Sequence, residues 1–342
     1  MKKYALLLLT FTFVLILAAC GTKQETSEST EEKAAGDSTV EITNEFKMMG
    51  EKEDGSDAKE VSEKVTVPKN SEKVAVFDYG TLTTMKELGL SDHVVGLPKG
   101  EGNRSVPEFL SDFKDDKYAN LGSLKEPNFE KLAELNPEVI LISGRQATAK
   151  VMDEMKKAAP DAKIVYMGTN DTAYIDSVKA NTENLGKMFD KEQETTKLIK
   201  DLDDKVAEVK KMTADSDDKG LFVLANEGEL SVFGKGGRFG FIHDVLGVKE
   251  ADKNIKAEGH GQVVNYEYFN KTNPDIIYAM DRGVAVGGKS SSKQALSNEV
   301  IKEVNAIKNN KIIELDPYLW YFSGGGVTTT IKQIEEVEKG YK

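Results

Sequence analysis

Arginine is the residue through which this chain can do chemistry. Of 46 basic residues only four are arginine: Arg104, Arg145, Arg238 and Arg282. Guanidinium is planar, stays charged when partly buried, and grips oxygen-rich anions with paired hydrogen bonds. Arg145 follows the β-branched run Val139–Ile142, within Ser143-Gly144-Arg145-Gln146. Arg282 follows Ile276–Ala279, within Met280-Asp281-Arg282-Gly283. Both positions lie beyond the carboxyl ends of expected strands, where α/β proteins bind ligands. Arg238 stands in Gly236-Gly237-Arg238-Phe239-Gly240, at the entrance to an expected helix. Isolated surface ion pairs contribute little to stability, so three arginines so placed point to an anion. His260 is flanked by Gly259 and Gly261, which permit close approach of a ligand. After the last expected strand, Asp316 to Phe322 gathers the only tryptophan, Trp320, with Tyr318, Tyr321 and Phe322. We read that run as a loop whose aromatic surface, Trp320 above all, suits a flat aromatic ligand. The glycines at 324–326 have no Walker lysine, and the chain carries neither His-Glu-x-x-His nor Gly-x-Ser-x-Gly.

The elements that must position these residues alternate. Val74–Phe77, Val94–Leu97, Val139–Ile142 and Ile164–Met167 read as short buried strands. Helices are expected at Thr81–Leu90, Phe129–Leu135 and Gln146–Ala158. This βαβ order predicts a mostly parallel sheet. From Tyr174 to about Thr213 there is no proline. Ile199, Leu202, Val206 and Val209 recur at helical spacing, so two helices are expected, the second from about Lys191 to Thr213. The strand-rich pattern then resumes. Leu221–Leu224 and Glu229–Phe233 read as paired strands, Ile276–Ala279 and Ile312–Leu315 as core strands. Phe239–Leu246, Tyr266–Lys271, Asn298–Val304 and Thr328–Gly340 read as helices. Asn136-Pro137-Glu138-Val139-Ile140 and Asn273-Pro274-Asp275-Ile276-Ile277 match in pattern, which implies two similar halves. Val40–Lys47 and Val61–Val67 form an expected hairpin around a polar stretch.

The chain starts with Lys2 and Lys3, an apolar run from Tyr4 to Leu17, and Leu17-Ala18-Ala19-Cys20-Gly21. Basic, apolar and small residues in this order mark a secretory signal with a bacterial lipobox, in which Cys20 carries the lipid. Cys20 is the only cysteine, so the lipidated chain can form neither a disulfide nor a thiolate metal site. Residues 20–38 read as the lipidated cysteine and a polar tether. Loss of the signal's two lysines takes the formal charge from -12 to -14, which argues against nucleic-acid partners. The expected division is a signal peptide at 1–19, the tether to 38, an N-terminal lobe at 39–190, a connecting helix at 191–213 and a C-terminal lobe at 214–342.

Taken in order, Ser-Gly-Arg-Gln at 143–146, Gly-Arg-Phe-Gly at 237–240 with Ile242-His243-Asp244, His-Gly-Gln at 260–262, Asp281-Arg282 and Trp-Tyr-Phe-Ser-Gly-Gly-Gly at 320–326 resemble one family. It is that of the class III (cluster A-II) ferric-siderophore-binding lipoproteins of ABC importers, in the enterobactin/petrobactin-binding branch. The resemblance runs from about Lys73 to the end. It implies two Rossmann-like α/β lobes joined by one long helix, small hinge motion and no enzymatic activity. It implies no intrinsic cofactor, iron entering as a ferric siderophore complex. Arg145, Arg238 and Arg282 would bind the anionic catecholates. His260 and Tyr321 would be direct iron ligands when the siderophore leaves positions open. The implied partner is a FecCD-type permease, docked through acidic residues for which Glu126, Glu130 and Glu250 are the candidates. The protein would be a monomer held by its lipid at the outer face of the cell membrane. Residues 40–70 lie outside the family pattern and receive no role. Two other readings stay open: a haem-binding lipoprotein of the same fold, and a surface-attached metallohydrolase.

Overall fold

A computed structural model of the chain describes residues 38–50, 57–257, 259–288 and 292–342. The signal peptide, Cys20 and the tether up to residue 37 lie outside the described residues. Among the described residues no helix is long and apolar enough to cross a membrane.

Ten-residue strands β1 (Thr39–Met48) and β2 (Lys59–Pro68) pair antiparallel along their whole length. The first lobe follows. Its sheet contains β3 (Val74–Val76), β4 (Val94–Leu97), β5 (Ala119–Asn120), β6 (Val139–Ile142) and β7 (Lys163–Tyr166), in the order β5-β4-β3-β6-β7 with every pair parallel. β3 and β6 are buried at every position, as a sheet covered on both faces requires. Helices α1 (Tyr79–Glu87), α2 (Phe129–Leu135) and α3 (Ala149–Ala158) supply the cover. The hairpin covers the open edge at β7. The Asn44 side chain donates from Nδ2 to the Ile164 carbonyl at 2.9 Å and accepts at Oδ1 from the Tyr166 amide at 2.9 Å, standing in for a neighbouring strand. Phe46 stacks on Tyr166 with ring centroids 4.5 Å apart.

Two helices lead to the second lobe, α4 (Tyr174–Phe189) and the 23-residue α5 (Glu192–Ala214). α4 spans both lobes. Its Tyr174, Ile175 and Val178 pack in the second core, its Leu185, Met188 and Phe189 in the first. Leu198 of α5 touches both cores, whereas Leu202 and Val209 belong to the second.

The second sheet is mixed. β8 (Lys219–Asn226), β9 (Glu229–Phe233), β10 (Lys249–Glu250), β11 (Gln262–Val264), β12 (Ile276–Asp281) and β13 (Ile312–Leu315) give the order β11-β9-β8-β12-β13, with β10 also on β8. β8 pairs parallel with β12 and antiparallel with β9. The helices are α6 (Phe241–Asp244), α7 (Tyr266–Thr272), α8 (Arg282–Ala285), α9 (Ser292–Ala295), α10 (Asn305–Lys308), α11 (Pro317–Phe322) and α12 (Val327–Glu338). Asn136 and Asn273, the matched pair of the two halves, both end helices in the left-handed region, at φ 44° and 41°. Asparagine tolerates that conformation and the following proline stops the helix.

Three expectations change. The run at 316–322 is a helix, α11, because Asp316 caps it by accepting from the Tyr318 and Leu319 amides and Pro317 fits the first turn. The helix expected over 239–246 contracts to four residues in α6. The one expected over 298–304 is only a short 3-10 turn at Glu299–Ile301.

The first turns of α1 pack against the start of α12, where the Val327 amide donates to the Thr84 hydroxyl at 3.3 Å. A Cβ on Gly80 would lie 2.6 Å from the Gly324 carbonyl, and one on Gly326 2.1 Å from the Gly80 carbonyl. Gly80 and Gly326 therefore allow this close approach of the two segments.

Candidate functional site

The strand order of the first sheet reverses at β3, which has β4 on one side and β6 on the other. Asp78 follows β3 and Arg145 follows β6, so both stand at the switch point. The corresponding central strands of the second lobe are β8 and β12. Asn226 ends the first of these and Arg282 follows the second. Arg282 donates from Nη1 to the Asn226 side-chain oxygen at 2.7 Å.

All three expected arginines converge on Tyr321. The Tyr321 carbonyl accepts from Arg145 Nη2 at 2.6 Å and from Arg238 Nη2 at 3.1 Å. Its hydroxyl accepts from Arg282 Nε at 3.0 Å. The guanidinium carbons of Arg145, Arg238 and Arg282 lie 5.5, 4.7 and 5.4 Å from the centre of its ring. These are cation–π distances. The ring is thus the hub of a three-cation cluster assembled from both lobes.

The electrostatics follow from that crowding. Burial lowers the pKa of Arg145, opposed by the charges of Asp78, Tyr321 and Tyr79. Burial also lowers that of Arg238, with the neighbouring Arg145 adding to the effect. For Tyr321 burial is the largest single influence and acts upward. The Arg282 hydrogen bond and the charges of all three arginines together outweigh it and hold the phenol below its usual range. Asp78 moves the other way: burial raises it, against hydrogen bonds from Thr81 and the charge of Arg145. Burial likewise pushes Tyr166 up to about 12, helped by Asp78 and Asp171.

Three hollows share Tyr321. One of about 330 Å³ forms the floor, with Asp78, Arg145, Tyr166, Asp171, Arg238 and Trp320 among its lining residues. The largest, about 700 Å³, lies between the lobes. It is lined by Arg104, Ser123 and Lys125 on the first lobe, by Arg282 to Gly287 in part and Tyr318 on the second, and by Arg145 and Tyr321. A third, about 380 Å³, brings His260 together with Arg238, Arg282 and Tyr321.

His260 is exposed in a turn at the rim of that third hollow. Trp320 differs from the expectation of an open aromatic platform. Helix α11 turns it inward, leaving it 2% exposed in the second core, stacked on Phe241, with Nε1 donating to Glu336 at 2.7 Å. Tyr321 and Phe322 supply the accessible aromatic surface instead. Glu126 and Glu130 are exposed on the first lobe. Glu250 is not comparably free, because its side chain is 12% exposed and sits 3.4 Å from Lys235 Nζ. His243 is buried and bonds the Val248 carbonyl, and His93 bonds that of Ser71. Sequence reasoning did not single out Asp78, Lys125 or Asn226, and set Arg104 aside. Asp78 had one visible signal, an acid placed between a strand and a helix start. Among the described residues no three His, Cys, Asp or Glu side chains converge as a metal cage.

A family model described as periplasmic binding protein matches residues 74–319. The chain is 43% identical over 340 residues to the petrobactin-binding protein YclQ of Bacillus subtilis, covering 99% of each chain. It is 31% identical to the ferric-anguibactin-binding protein FatB of Vibrio anguillarum over 79% of this chain and 83% of that one. The YclQ crystal structure superposes with a TM-score of 0.77 at 44% identity, covering 87% of this chain and 99% of YclQ. The catecholate-siderophore-binding protein VctP of Vibrio cholerae gives 0.73 at 27% identity, covering 81% and 96%.

Proposed function

The chain belongs to the periplasmic binding protein family, and from that premise we propose that it captures a ferric siderophore with catecholate donors and delivers it to an iron ABC importer. The observation that carries this reading is the convergence of Arg145, Arg238 and Arg282 on Tyr321 between the lobes. A fully deprotonated tris-catecholate complex of Fe³⁺ carries three negative charges. Three guanidinium groups in a partly desolvated cleft balance that charge and donate to the catecholate oxygens. This local field lets a chain of net charge -12 bind an anion. Where a siderophore fills only four iron positions, the Tyr321 phenolate and the His260 imidazole complete the shell, since Fe³⁺ prefers oxygen donors and accepts imidazole.

The delivery partner is a FecCD-type permease, met through Glu126 and Glu130 on the first lobe. Glu250 would have to release Lys235 to take part. Cys20 carries the lipid that holds the monomer at the outer face of the membrane.

Trp320 is the only tryptophan and lines the floor of the site. Titration with ferric tris-catecholate should therefore quench its fluorescence saturably, and a neutral ferric hydroxamate should do so much less. Saturable quenching by hydroxamates with none by catecholates would overturn the assignment.

A further inference from the structure

The largest hollow differs from the floor in one respect that bears on specificity. The floor has Asp78 and Asp171 beside its arginines. The large hollow is lined by Arg104, Lys125, Arg145 and Arg282, and no Asp or Glu is among its described lining residues. Arg145 and Arg282 already belong to the Tyr321 cluster. Arg104 and Lys125 do not, and among the described residues neither side chain has a hydrogen-bond or ion-pair partner. Arg104 also borders a neighbouring hollow containing Glu108 and Asp316. Glu108 is paired with Lys114 at 2.9 Å and Asp316 caps α11, so both carboxylates are engaged elsewhere.

The two cations are held on a braced rim. The Gly100 amide donates to the Gly122 carbonyl at 2.8 Å, tying the turn of Arg104 to that of Lys125. The Ser105 amide donates to the Lys99 carbonyl at 3.0 Å. The Gln146 side chain donates to the Leu124 carbonyl at 2.5 Å, joining the rim to the residue next to Arg145. Facing them, Ala285 and Val286 give an apolar wall, Val286 being 49% exposed.

We propose that Arg104 and Lys125 form a second anion subsite, which reads a carboxylate carried by the siderophore outside the iron coordination shell. This rests on the reading of the Tyr321 cluster as the iron-complex site. The preferred ligand class is then a ferric catecholate whose backbone bears an additional ionised carboxylate. Paired cations on a fixed frame favour that group, while the apolar wall accepts the backbone's hydrocarbon.

The test uses two hexadentate ferric complexes with the same iron shell: a tripodal tris-catecholamide, and that tripod bearing one carboxylate at its apex. Wild type should bind the carboxylated complex at least roughly fivefold more tightly. Arg104→Gln and Lys125→Gln should each bring the ratio of the two affinities towards one, and Arg104→Lys should retain most of it. No preference in wild type, or equal weakening of both complexes in the variants, would overturn the subsite. Failure of wild type to bind either complex would instead sink the iron-complex site itself, and the subsite with it.

Discussion

The two lobes solve the same problem with different chemistry. Each ends a helix on a left-handed asparagine followed by proline, runs a core strand, and places an arginine after it. In the second lobe, Arg282 is held by its own lobe, through the neutral Asn226 and the Tyr321 hydroxyl. In the first lobe, the corresponding position is the buried acid Asp78, and Arg145 donates its hydrogen bond across the cleft to the Tyr321 carbonyl. One arginine therefore has only neutral hydrogen-bond partners, which leave its charge unbalanced. The other is partly balanced from below, and it also links the lobes.

The largest expected effect separates the two. Arg145→Ala removes a charge, loses the bond across the cleft, and leaves the Asp78 carboxyl facing an anionic ligand. Ferric tris-catecholate binding should weaken by about 3 kcal/mol, the upper end for a hydrogen bond to a charged group. That is roughly 150-fold. Arg282→Ala leaves only the neutral Asn226 behind and should cost about 1.5–2 kcal/mol. Direct titration of both variants checks the order, and equal losses would remove the distinction between the lobes.

Next is Tyr321→Phe, which keeps the ring and removes the hydroxyl that accepts from Arg282. It should weaken a tetradentate ferric bis-catecholate and shift its charge-transfer band, while largely sparing a hexadentate complex. Unaltered spectra and affinities for both would withdraw the direct-ligand role. The same variant isolates the phenol in a pH titration. The folded pKa of Tyr321 is depressed, so its contribution to stability is full above the unfolded value near 10 and is lost as pH falls through the folded value. The phenolate absorbance missing from Tyr321→Phe should therefore have a midpoint below that of an ordinary tyrosine. Arg282→Ala should move that midpoint upward.

The smallest effect tests the balancing acid directly. Asp78→Asn makes the first lobe resemble the second. Asparagine still accepts from the Thr81 amide as an N-cap, so thermal stability should change by less than about 1 kcal/mol. With the carboxyl gone, the field of Arg145 is no longer offset, and ferric tris-catecholate should bind several-fold more tightly. Weaker binding in a stably folded variant would show that Asp78 positions Arg145 rather than balancing it.

Much of this was legible from local pattern. The β-branched runs fixed the core strands, the repeated Asn-Pro fixed their starts, and the scarcity of arginine drew attention to the three that meet at Tyr321. The edge of the first sheet was less accessible: nothing in residues 39–68 announced that Asn44 would bond β7 and Phe46 would support Tyr166. The run 316–322 was misread as a loop because its aromatic content outweighed its Asp-Pro start. The helix then decided which aromatic was buried and which met the ligand space. By itself, the sequence determined strand and helix types and which side chains could hold an anion, because these follow from short-range periodicity and from the chemistry of single residues. Only the tertiary structure decided that Asp78 lies under one arginine and Asn226 beside another, and that Arg104 and Lys125 border a hollow without carboxylates. Those relations join residues far apart in the chain, and they arise only when parallel strands from different segments are brought side by side.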